Sequence, residues 1–390
     1  MISPALRCSA TSARRVSDSP SFAILSTYPP TRCGLATFSA ALADGLSVHG
    51  ANVSIVRLAD GSSAADPRVI GELVNDSPAS VATTARLLNL SDVAILQHEY
   101  GIYGGTDGDD VVDVLGALTV PSIVVAHTVL KDPTPHQRSV LEEVAALADQ
   151  VVVMSEAASQ RLRLGFDVDP RKVTTISHGA YVPPRQAFPA HQGSPTLLTW
   201  GLLGPGKGIE RVIDAMVSLH DLPSRPRYLV AGRTHPKVLA AQGEAYREAH
   251  TEQALRRGVQ ASVSFDAGYR DRESLTRLAQ ACAVVVLPYD STDQVTSGVL
   301  VDAIAAGRPV VATAFPHAVE LLASGAGAVV AHDDPDALAA VLHTLLTKPE
   351  VADAMAAEAT RLAPSMAWPV VAGAYVALSR ALLSEHAALV

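Results

Sequence analysis

The sequence predicts an α/β protein built from two doubly wound, Rossmann-like domains that face each other across a cleft. From Phe22 onward, short apolar runs alternate with segments of helical periodicity, which is the pattern of strands joined by helices. A proline-rich break near the middle divides this series in two, and 390 residues suit two domains. Strands joined in this way need right-handed crossovers, so each half should form a parallel sheet covered on both faces.

Six apolar runs predict the strands of the first domain, residues 22–182. Helical periodicity lies between them, for example at Leu35, Phe38 and Leu42. The predicted strands cover 22–27, 52–58, 93–98, 122–128, 150–155 and 172–179.

A linker is predicted at 183–195, because its prolines cannot continue a strand or a helix. The alternation then restarts in the second domain, residues 196–365. The final segment, 366–390, has one amphipathic helical pattern, so we expect it to pack across both domains. The predicted strands of the second domain cover 196–201, 227–232, 262–267, 282–289, 308–314 and 327–332.

Composition argues against several classes of protein. The net charge of −9 argues against nucleic acid as a partner, because phosphate backbones need a basic surface. The chain has no uninterrupted apolar run of about 18 residues, so no transmembrane segment is predicted. Its three cysteines are far apart and lack metal-ligand spacing, which suits the reducing cytoplasm. Residues 1–21 are interpreted as a disordered leader or the product of an early start codon, with a transit peptide as the weaker alternative.

Ligands of open parallel sheets bind beyond the carboxyl ends of the strands, and unusual residues follow several of these ends. Gly34 precedes the first helix, where its backbone could approach a ligand closely; a turn glycine is the alternative. His127 ends a very apolar strand, and this position favours a functional residue over a core histidine. Ser155 and His178 end the next two strands and support the same argument more weakly.

The third strand ends in a glycine-rich loop that contains His98, Glu99 and Tyr100. These side chains suit a hydroxyl-rich ligand, although His98 and Glu99 could equally form a structural pair. The nearby Asp107-x-Asp109 pattern can hold a metal, but its position before a helix favours capping. No metal site is therefore predicted.

The turn after the first strand of the second domain has the spacing Gly201-x-x-x-x-Gly206-Lys207 of a phosphate-binding P-loop. A P-loop continues with Ser or Thr, which holds Mg²⁺, whereas this sequence continues with Gly208. Two interpretations remain: a phosphate site without a metal, or a glycine-rich turn before a helix. The helix dipole would contribute only about 0.3–1 kcal/mol to phosphate binding, so Lys207 must supply most of the charge. A second cation could replace the metal, and Arg233 is the candidate.

A Thr-Ser-Gly triplet enters a helix after a polar segment that follows a buried strand. The backbone N–H groups around Ser297, Gly298 and Val299 are predicted to form an anion site. Capping of the helix by a hydroxyl is the alternative, but it leaves the preceding polar residues unexplained. Gln294 and Asp302 bracket this site, one before the turn and one on the helix.

At these motifs the sequence resembles the GT-B-fold, family-4-like retaining glycosyltransferases of bacteria. The resemblance covers residues 22–390, and the order of the motifs over that length is more specific than any one of them. The segments that carry it are TYPPTRCGLATF, LQHEYGIYGG, VVVMS, ISHG, GLLGPGKGIERVIDA and QVTSGVLVDAIAAGRPVVAT.

The resemblance implies a nucleoside diphosphate sugar as donor, bound mainly by the second domain, with no cofactor and no metal. Lys207 would hold the diphosphate, and the backbone of Ser297–Leu300 would support the diphosphate and the sugar. Gly34 would approach the diphosphate from the first domain, and His127 would contact the donor sugar. The acceptor, a carbohydrate or another hydroxyl compound, would lie against residues 97–105.

The implied activity is the retaining transfer of a hexosyl group. The sequence departs from the family's pattern where Leu202 stands near the place of an arginine, and where the usual pair of glutamates becomes Gln294 and Asp302. Asp302 can still accept hydrogen bonds from ribose hydroxyls, and Gln294 can orient a sugar hydroxyl without carrying charge. The alternatives are a sugar-nucleotide-binding protein that has lost catalysis and a GT-B sugar-nucleotide epimerase, with a P-loop ATPase least favoured.

Overall fold

The computed structural model describes residues 19–184, 193–268 and 270–389. These residues form two units, each with one parallel sheet that carries an apolar layer on both faces. Buried strands of this kind read as continuous apolar runs, and Phe22 to Leu25 are fully buried. The prediction of an α/β fold with two doubly wound domains is confirmed.

The first unit has seven strands in the order β3-β2-β1-β4-β5-β6-β7. The strands are β1 (Phe22–Ser26), β2 (Val53–Leu58), β3 (Val69–Leu73), β4 (Val93–His98), β5 (Ser122–Ala126), β6 (Gln150–Val153) and β7 (Val173–Thr175). The helices are α1 (Gly34–Val48), α2 (Pro78–Leu88), α3 (Asp110–Gly116), α4 (Pro135–Leu147) and α5 (Glu156–Gly165).

Strand β3 is absent from the prediction. It lies at the edge of the sheet, where Ile70 and Glu72 are exposed. Its sequence, VIGEL, is therefore not a continuous apolar run, and the criterion that found the other six strands does not detect it.

The second unit has six strands in the order β10-β9-β8-β11-β12-β13. The strands are β8 (Thr196–Trp200), β9 (Arg227–Ala231), β10 (Val263–Asp266), β11 (Val284–Leu287), β12 (Val310–Thr313) and β13 (Gly327–Val330). The helices are α6 (Ile209–Leu219), α7 (Pro236–Gln242), α8 (Ala245–Arg256), α9 (Arg272–Ala281), α10 (Gly298–Ala305), α11 (Pro316–Leu322), α12 (Pro335–Thr347), α13 (Pro349–Met366) and α14 (Trp368–Leu389).

The strand order reverses between β1 and β4 in the first sheet, and between β8 and β11 in the second. Such switch points open a crevice at the carboxyl ends of the strands, where doubly wound proteins bind ligands. The segments that follow these four strands begin with Thr27, Glu99, Gly201 and Pro288. Together with the helices that follow them, these segments contain most of the site residues that the sequence predicts.

The structure can be compared with the predicted domain boundaries at two places, the leader and the linker. Ser19 and Ser21, inside the predicted leader, hydrogen-bond to the first unit: the Ser19 hydroxyl donates to the His49 carbonyl at 2.5 Å, and the Ser21 N–H to an Asp92 carboxylate oxygen at 2.8 Å. Most of the predicted linker, residues 185–192, lies outside the described residues.

Helix α14 returns from the second unit to the first. A bridge between Ala180 and Ala367 precedes it, and it packs along α1. The contact is closest at Gly45, where an added Cβ would lie 2.8 Å from the Ala372 Cβ and 2.9 Å from the Trp368 carbonyl oxygen. A glycine at this position therefore lets the two helices approach. Among the described residues, no helix is both long and apolar enough to span a membrane.

We expect Gly45→Ala to destabilise the protein by about 1–3 kcal/mol, because overpacking forces the two helices apart. Gly116→Ala is the matched control: this helical glycine is exposed, and an added Cβ would meet nothing within 4 Å. The control should be neutral or up to about 1 kcal/mol stabilising. Chemical denaturation of both variants measures the difference, and equal free energies of unfolding would contradict the close packing of α1 on α14.

Candidate active site

The turn between β8 and α6 places Lys207 in the crevice. Gly208, the next residue, has a φ of +64°, and an added Cβ would lie 1.7 Å from the Pro288 carbonyl oxygen. Only glycine fits at this position, which is where a P-loop carries its Mg²⁺-binding hydroxyl. The packing of Pro288 against this turn thus explains why the sequence departs from the P-loop pattern.

The Lys207 ammonium has no carboxylate within 4 Å among the described residues. It lies 4.3 Å from the centroid of the Tyr289 ring, and burial lowers the pKa of Lys207. Tyr289 in turn stacks on Phe315, with ring centroids 5.5 Å apart. An aromatic face stabilises a cation only modestly, so an anion that enters this site would relieve the cost of desolvating the ammonium.

The backbone of Arg233 lies beside the same turn. Its carbonyl accepts a hydrogen bond of 2.8 Å from the Leu203 N–H, and its side chain is exposed. The adjacent Leu202, in the region where an arginine was expected, is 36% exposed. Arg233 is therefore placed at the rim of the crevice, near the turn that carries Lys207.

The amino end of α10 lies next to this turn, since an added Cβ on Gly201 would be 3.9 Å from a methyl group of Val299. Two of the four predicted anion-binding amides already have partners: the Ser297 N–H donates to His317 Nδ1 at 2.9 Å, and the Leu300 N–H to the Ser297 hydroxyl at 3.3 Å. Ser297 thus caps the helix, as the alternative interpretation held.

The N–H groups of Gly298 and Val299 have no hydrogen-bond partner among the described residues. They stand at the positive end of the helix dipole, where an anion is stabilised. The structure narrows the predicted anion site from four amides to these two.

Gln294 and Asp302 lie on either side of α10's first turn. The Gln294 side chain folds back and donates to the Thr296 carbonyl at 2.9 Å. Burial raises the pKa of Asp302 to about 7, and the charge of Arg272 on α9 opposes this shift. Asp302 therefore lies on α10, and its charged neighbour is Arg272 at the start of α9.

On the first unit, His127 follows β5 and faces the crevice half-buried. Its Nε2 lies 2.5 Å from Gln97 Oε1, and its ring packs edge-on against Phe38 at 4.8 Å between centroids. Burial lowers the pKa of His127 to about 3, with further contributions from His178 and His98. The imidazole is neutral at physiological pH and is held in one orientation.

His178 joins the two units. Its ring packs on Phe38 at 5.1 Å, and an added Cβ on Gly298 would lie 2.9 Å from its Nε2. Gly298 is therefore required by close contact across the crevice. A continuous path of contacts connects His127 to the amino end of α10 through Phe38 and His178.

The structural pairing of His98 with Glu99, which the sequence left open as an alternative, does not form. His98 is 1% exposed and packs on Tyr100, itself 9% exposed, so both predicted acceptor-side rings lie in the interior beneath the loop. Glu99 is half-buried and accepts a hydrogen bond from the Thr128 hydroxyl; burial raises its pKa, and Lys237 of the second unit opposes this. Glu99 is the member of the trio that faces the opposite unit.

Gly34 is the first residue of α1, exposed and with nothing within 4 Å of an added Cβ. The helix is capped by Cys33, whose Sγ accepts the Ala36 N–H at 3.4 Å. Gly34 therefore leaves open space at the positive end of a helix that also carries Phe38. This position is consistent with close approach of a ligand.

Asp107 and Asp109 do not cap α3 as expected. Their carboxylates lie 3.2 and 3.6 Å from ring nitrogens of His136 on α4. Within the described part of the chain, no group of three His, Cys, Asp or Glu side chains is placed to hold a metal.

Two residues near the crevice, Phe38 and His317, were not predicted as site residues from the sequence. His317 is 4% exposed and lies on α11, which follows β12. Burial and His178 lower its pKa to about 4, so a neutral imidazole accepts the Ser297 N–H. The rule that found His127, a histidine after a buried strand, applies equally to His317.

Residues 184–362 match the family described as glycosyl transferases group 1. No curated protein sequence matches the chain.

Solved structures resemble almost the whole chain. A glycosyltransferase from Rickettsia africae ESF-5 has a TM-score of 0.74 at 13% identity, covering 94% of this chain and 99% of that one. HepE of Anabaena in complex with UDP has a TM-score of 0.72 at 18% identity, with 95% and 100% covered. Sucrose-phosphate synthase from Thermosynechococcus elongatus has a TM-score of 0.72 at 16% identity, with 94% and 99% covered. These likenesses concern the fold: the chain has the GT-B fold of these solved glycosyltransferases, and its residues 184–362 match a glycosyltransferase family.

Proposed function

We propose that the protein transfers a hexosyl group from a nucleoside diphosphate sugar to an acceptor hydroxyl, with retention of the anomeric configuration and without a metal or other cofactor. The observation that carries the proposal is the desolvated Lys207 ammonium, which has no carboxylate partner in the described residues and lies in a turn beside the amino end of α10. A cation and two unpartnered amides suit a diphosphate.

Catalysis would come from positioning the two substrates and from stabilising the leaving diphosphate. Lys207 would neutralise the diphosphate, while the amides of Gly298 and Val299 would donate hydrogen bonds to it. Gly34 would bring the α1 dipole to the same group from the first unit. Metal independence is proposed because Gly208 excludes the side chain that would hold Mg²⁺, so charge compensation falls to protein groups.

Retention is favoured by the weakness of the available base. An inverting transfer needs a general base on the acceptor side, and an imidazole with a pKa of about 3 accepts protons poorly at neutral pH. His127 would instead orient the donor sugar, and the leaving phosphate would take the acceptor proton. Glu99, whose pKa is raised, is the competing base and would be assigned that role if the product is inverted.

The donor and acceptor are proposed by class. HepE of Anabaena has been solved with UDP-glucose, so we propose a UDP-hexose as the first donor to test. The acceptor, a carbohydrate or other hydroxyl compound, would lie near Glu99. Family-4-like character and a cytoplasmic location are part of the same proposal, and the two cysteines seen in the structure, Cys33 and Cys282, are free thiols.

A protein that binds the donor without transferring it is the second candidate. The Gln294 side chain is occupied with the Thr296 carbonyl, and Leu202 contributes no charge to the diphosphate site. Both features would weaken donor orientation while leaving Lys207 in place.

The first prediction concerns the donor. In a thermal-shift screen of UDP-, GDP- and ADP-sugars at equal concentrations, one nucleotide class should raise the melting temperature, also in the presence of a chelator. With that donor and an acceptor panel, NMR should show a product with the donor's anomeric configuration. An inverted product overturns retention, donor binding without transfer favours the inactive alternative, and an altered sugar without acceptor indicates an epimerase.

A second prediction concerns Lys207. We expect Lys207→Ala to lower donor affinity or turnover at least tenfold, about 1.4 kcal/mol, with the fold intact. Lys348→Ala is the control, because Lys348 is exposed and makes no side-chain cap contact at α13. Calorimetry with UDP and steady-state kinetics measure both variants. If Lys207→Ala retains the wild-type constants, Lys207 does not belong to the donor site.

A third prediction concerns the pH dependence that Asp302 gives to stability. Its pKa rises from 3.8 to about 7 on folding, so the stabilising contribution is complete below pH 3.8 and is lost as the pH rises through about 7. Asp302→Asn removes this dependence, because an amide does not titrate. The melting temperature of the variant relative to wild type should therefore be higher at pH 8 than at pH 5. A difference that does not change with pH would contradict the buried carboxylate.

A further inference from the structure

Two side chains of α5, in the first unit, hold the segment 293–297 of the second unit. The Ser155 hydroxyl donates to the Val295 carbonyl at 2.6 Å and, as the cap of α5, also accepts the Ala158 N–H at 3.0 Å. Ser155 is 2% exposed, so this hydrogen bond between the units is shielded from water. The Ser155 hydroxyl therefore caps α5 and also fixes the segment 293–297.

Arg161, less than two turns further along α5, binds two loops at once. One of its terminal nitrogens donates to the Asp293 carbonyl at 2.6 Å and to the Val129 carbonyl at 2.9 Å. Val129 follows His127 by two residues, and Asp293 directly precedes Gln294. The guanidinium thus ties the loop after β5 to the segment that leads into α10.

Helix α11 completes the arrangement from the second unit. The two carboxylate oxygens of Glu320 accept the N–H groups of Glu156 and Ala157, each at 2.9 Å, at the amino end of α5. The same helix presents His317, which accepts the Ser297 N–H. The segment 293–297 is therefore held between α5 and α11, and α11 is itself anchored to α5.

Arg161 differs from Arg163, its neighbour on α5, in the groups that it binds. Its guanidinium is partly buried, burial lowers its pKa, and no carboxylate lies within 4 Å of it in the described part of the chain. Arg163, on the same helix, donates instead to the Val173 carbonyl inside the first unit. The Arg161 guanidinium gives up part of its hydration to donate to the Val129 and Asp293 carbonyls. These two hydrogen bonds fix the positions of the two loops relative to each other.

We propose that Ser155 and Arg161 are positioning residues, which hold the segment 293–297 of the second unit in the place where Gln294 and the α10 amides meet the donor. The inference rests on the proposed function, because it assigns the donor to that segment. Neither residue touches the donor; both act through main-chain carbonyls.

The test compares Arg161→Met with Arg163→Met, which removes a guanidinium from the same helix without affecting the other unit. We expect Arg161→Met to lower kcat at least fivefold, while the Kd for UDP changes less than threefold because Lys207 is untouched. Arg161→Lys, which can still donate to one carbonyl, should regain part of the lost kcat. Glu320→Gln, a milder change, should act in the same direction if Arg161→Met does not fold.

A second readout does not depend on activity. Amide hydrogen exchange of a peptide covering 290–300 should be at least threefold faster in Arg161→Met than in Arg163→Met. If wild type transfers no sugar, the proposed function fails, and this exchange measurement alone decides the inference. Equal kcat in the two Met variants of an active enzyme, or equal exchange in any case, overturns the positioning role.

Discussion

The candidate site depends on one constraint: a lysine ammonium is held in a desolvated position, and none of the carboxylates that the structure describes lies close enough to neutralise it. Lys207 lies against the face of Tyr289, and Gly208 keeps its turn pressed against the Pro288 carbonyl. Burial of such an ammonium costs desolvation free energy, and a bound anion offsets that cost. The site therefore favours an anionic ligand over a neutral one. The dipole of α10 adds about 0.3–1 kcal/mol at most per interaction, and Lys207 therefore dominates.

Three histidines around the crevice, His127 and His178 of the first unit and His317 of the second, contribute position without charge. Burial lowers the pKa of His127 to about 3 and that of His178 and His317 to about 4, so all three imidazoles are neutral at physiological pH. Neutral rings can pack on Phe38 and against Gly298 without repelling the ammonium across the crevice. In the proposed complex the full charge that faces a diphosphate would come from Lys207 of the second unit, while the first unit would add the α1 dipole and neutral rings.

The sequence predicted the buried strands, and it pointed to a candidate site, because both inferences depend on local patterns. Continuous apolar runs mark parallel strands, and the rule that ligands bind at their carboxyl ends located His127, Lys207 and Ser297. The burial of His98 and the prior engagement of the Ser297 N–H by His317 arise from tertiary packing between distant segments. No local pattern contains that information. The same holds for the ties of Ser155 and Arg161 to another unit.

The two departures from the usual pattern of the family have a joint electrostatic consequence. Leu202 stands near an expected arginine, and Gln294 stands at an expected glutamate, so one positive and one negative charge are missing together. The net charge of the proposed donor site is thereby unchanged, and no carboxylate at 294 would weaken the attraction between Lys207 and a diphosphate. Orientation of the sugar, which a carboxylate would have provided, must then come from neutral hydrogen bonds. That requirement explains why 293–297 would need firm placement by α5 and α11.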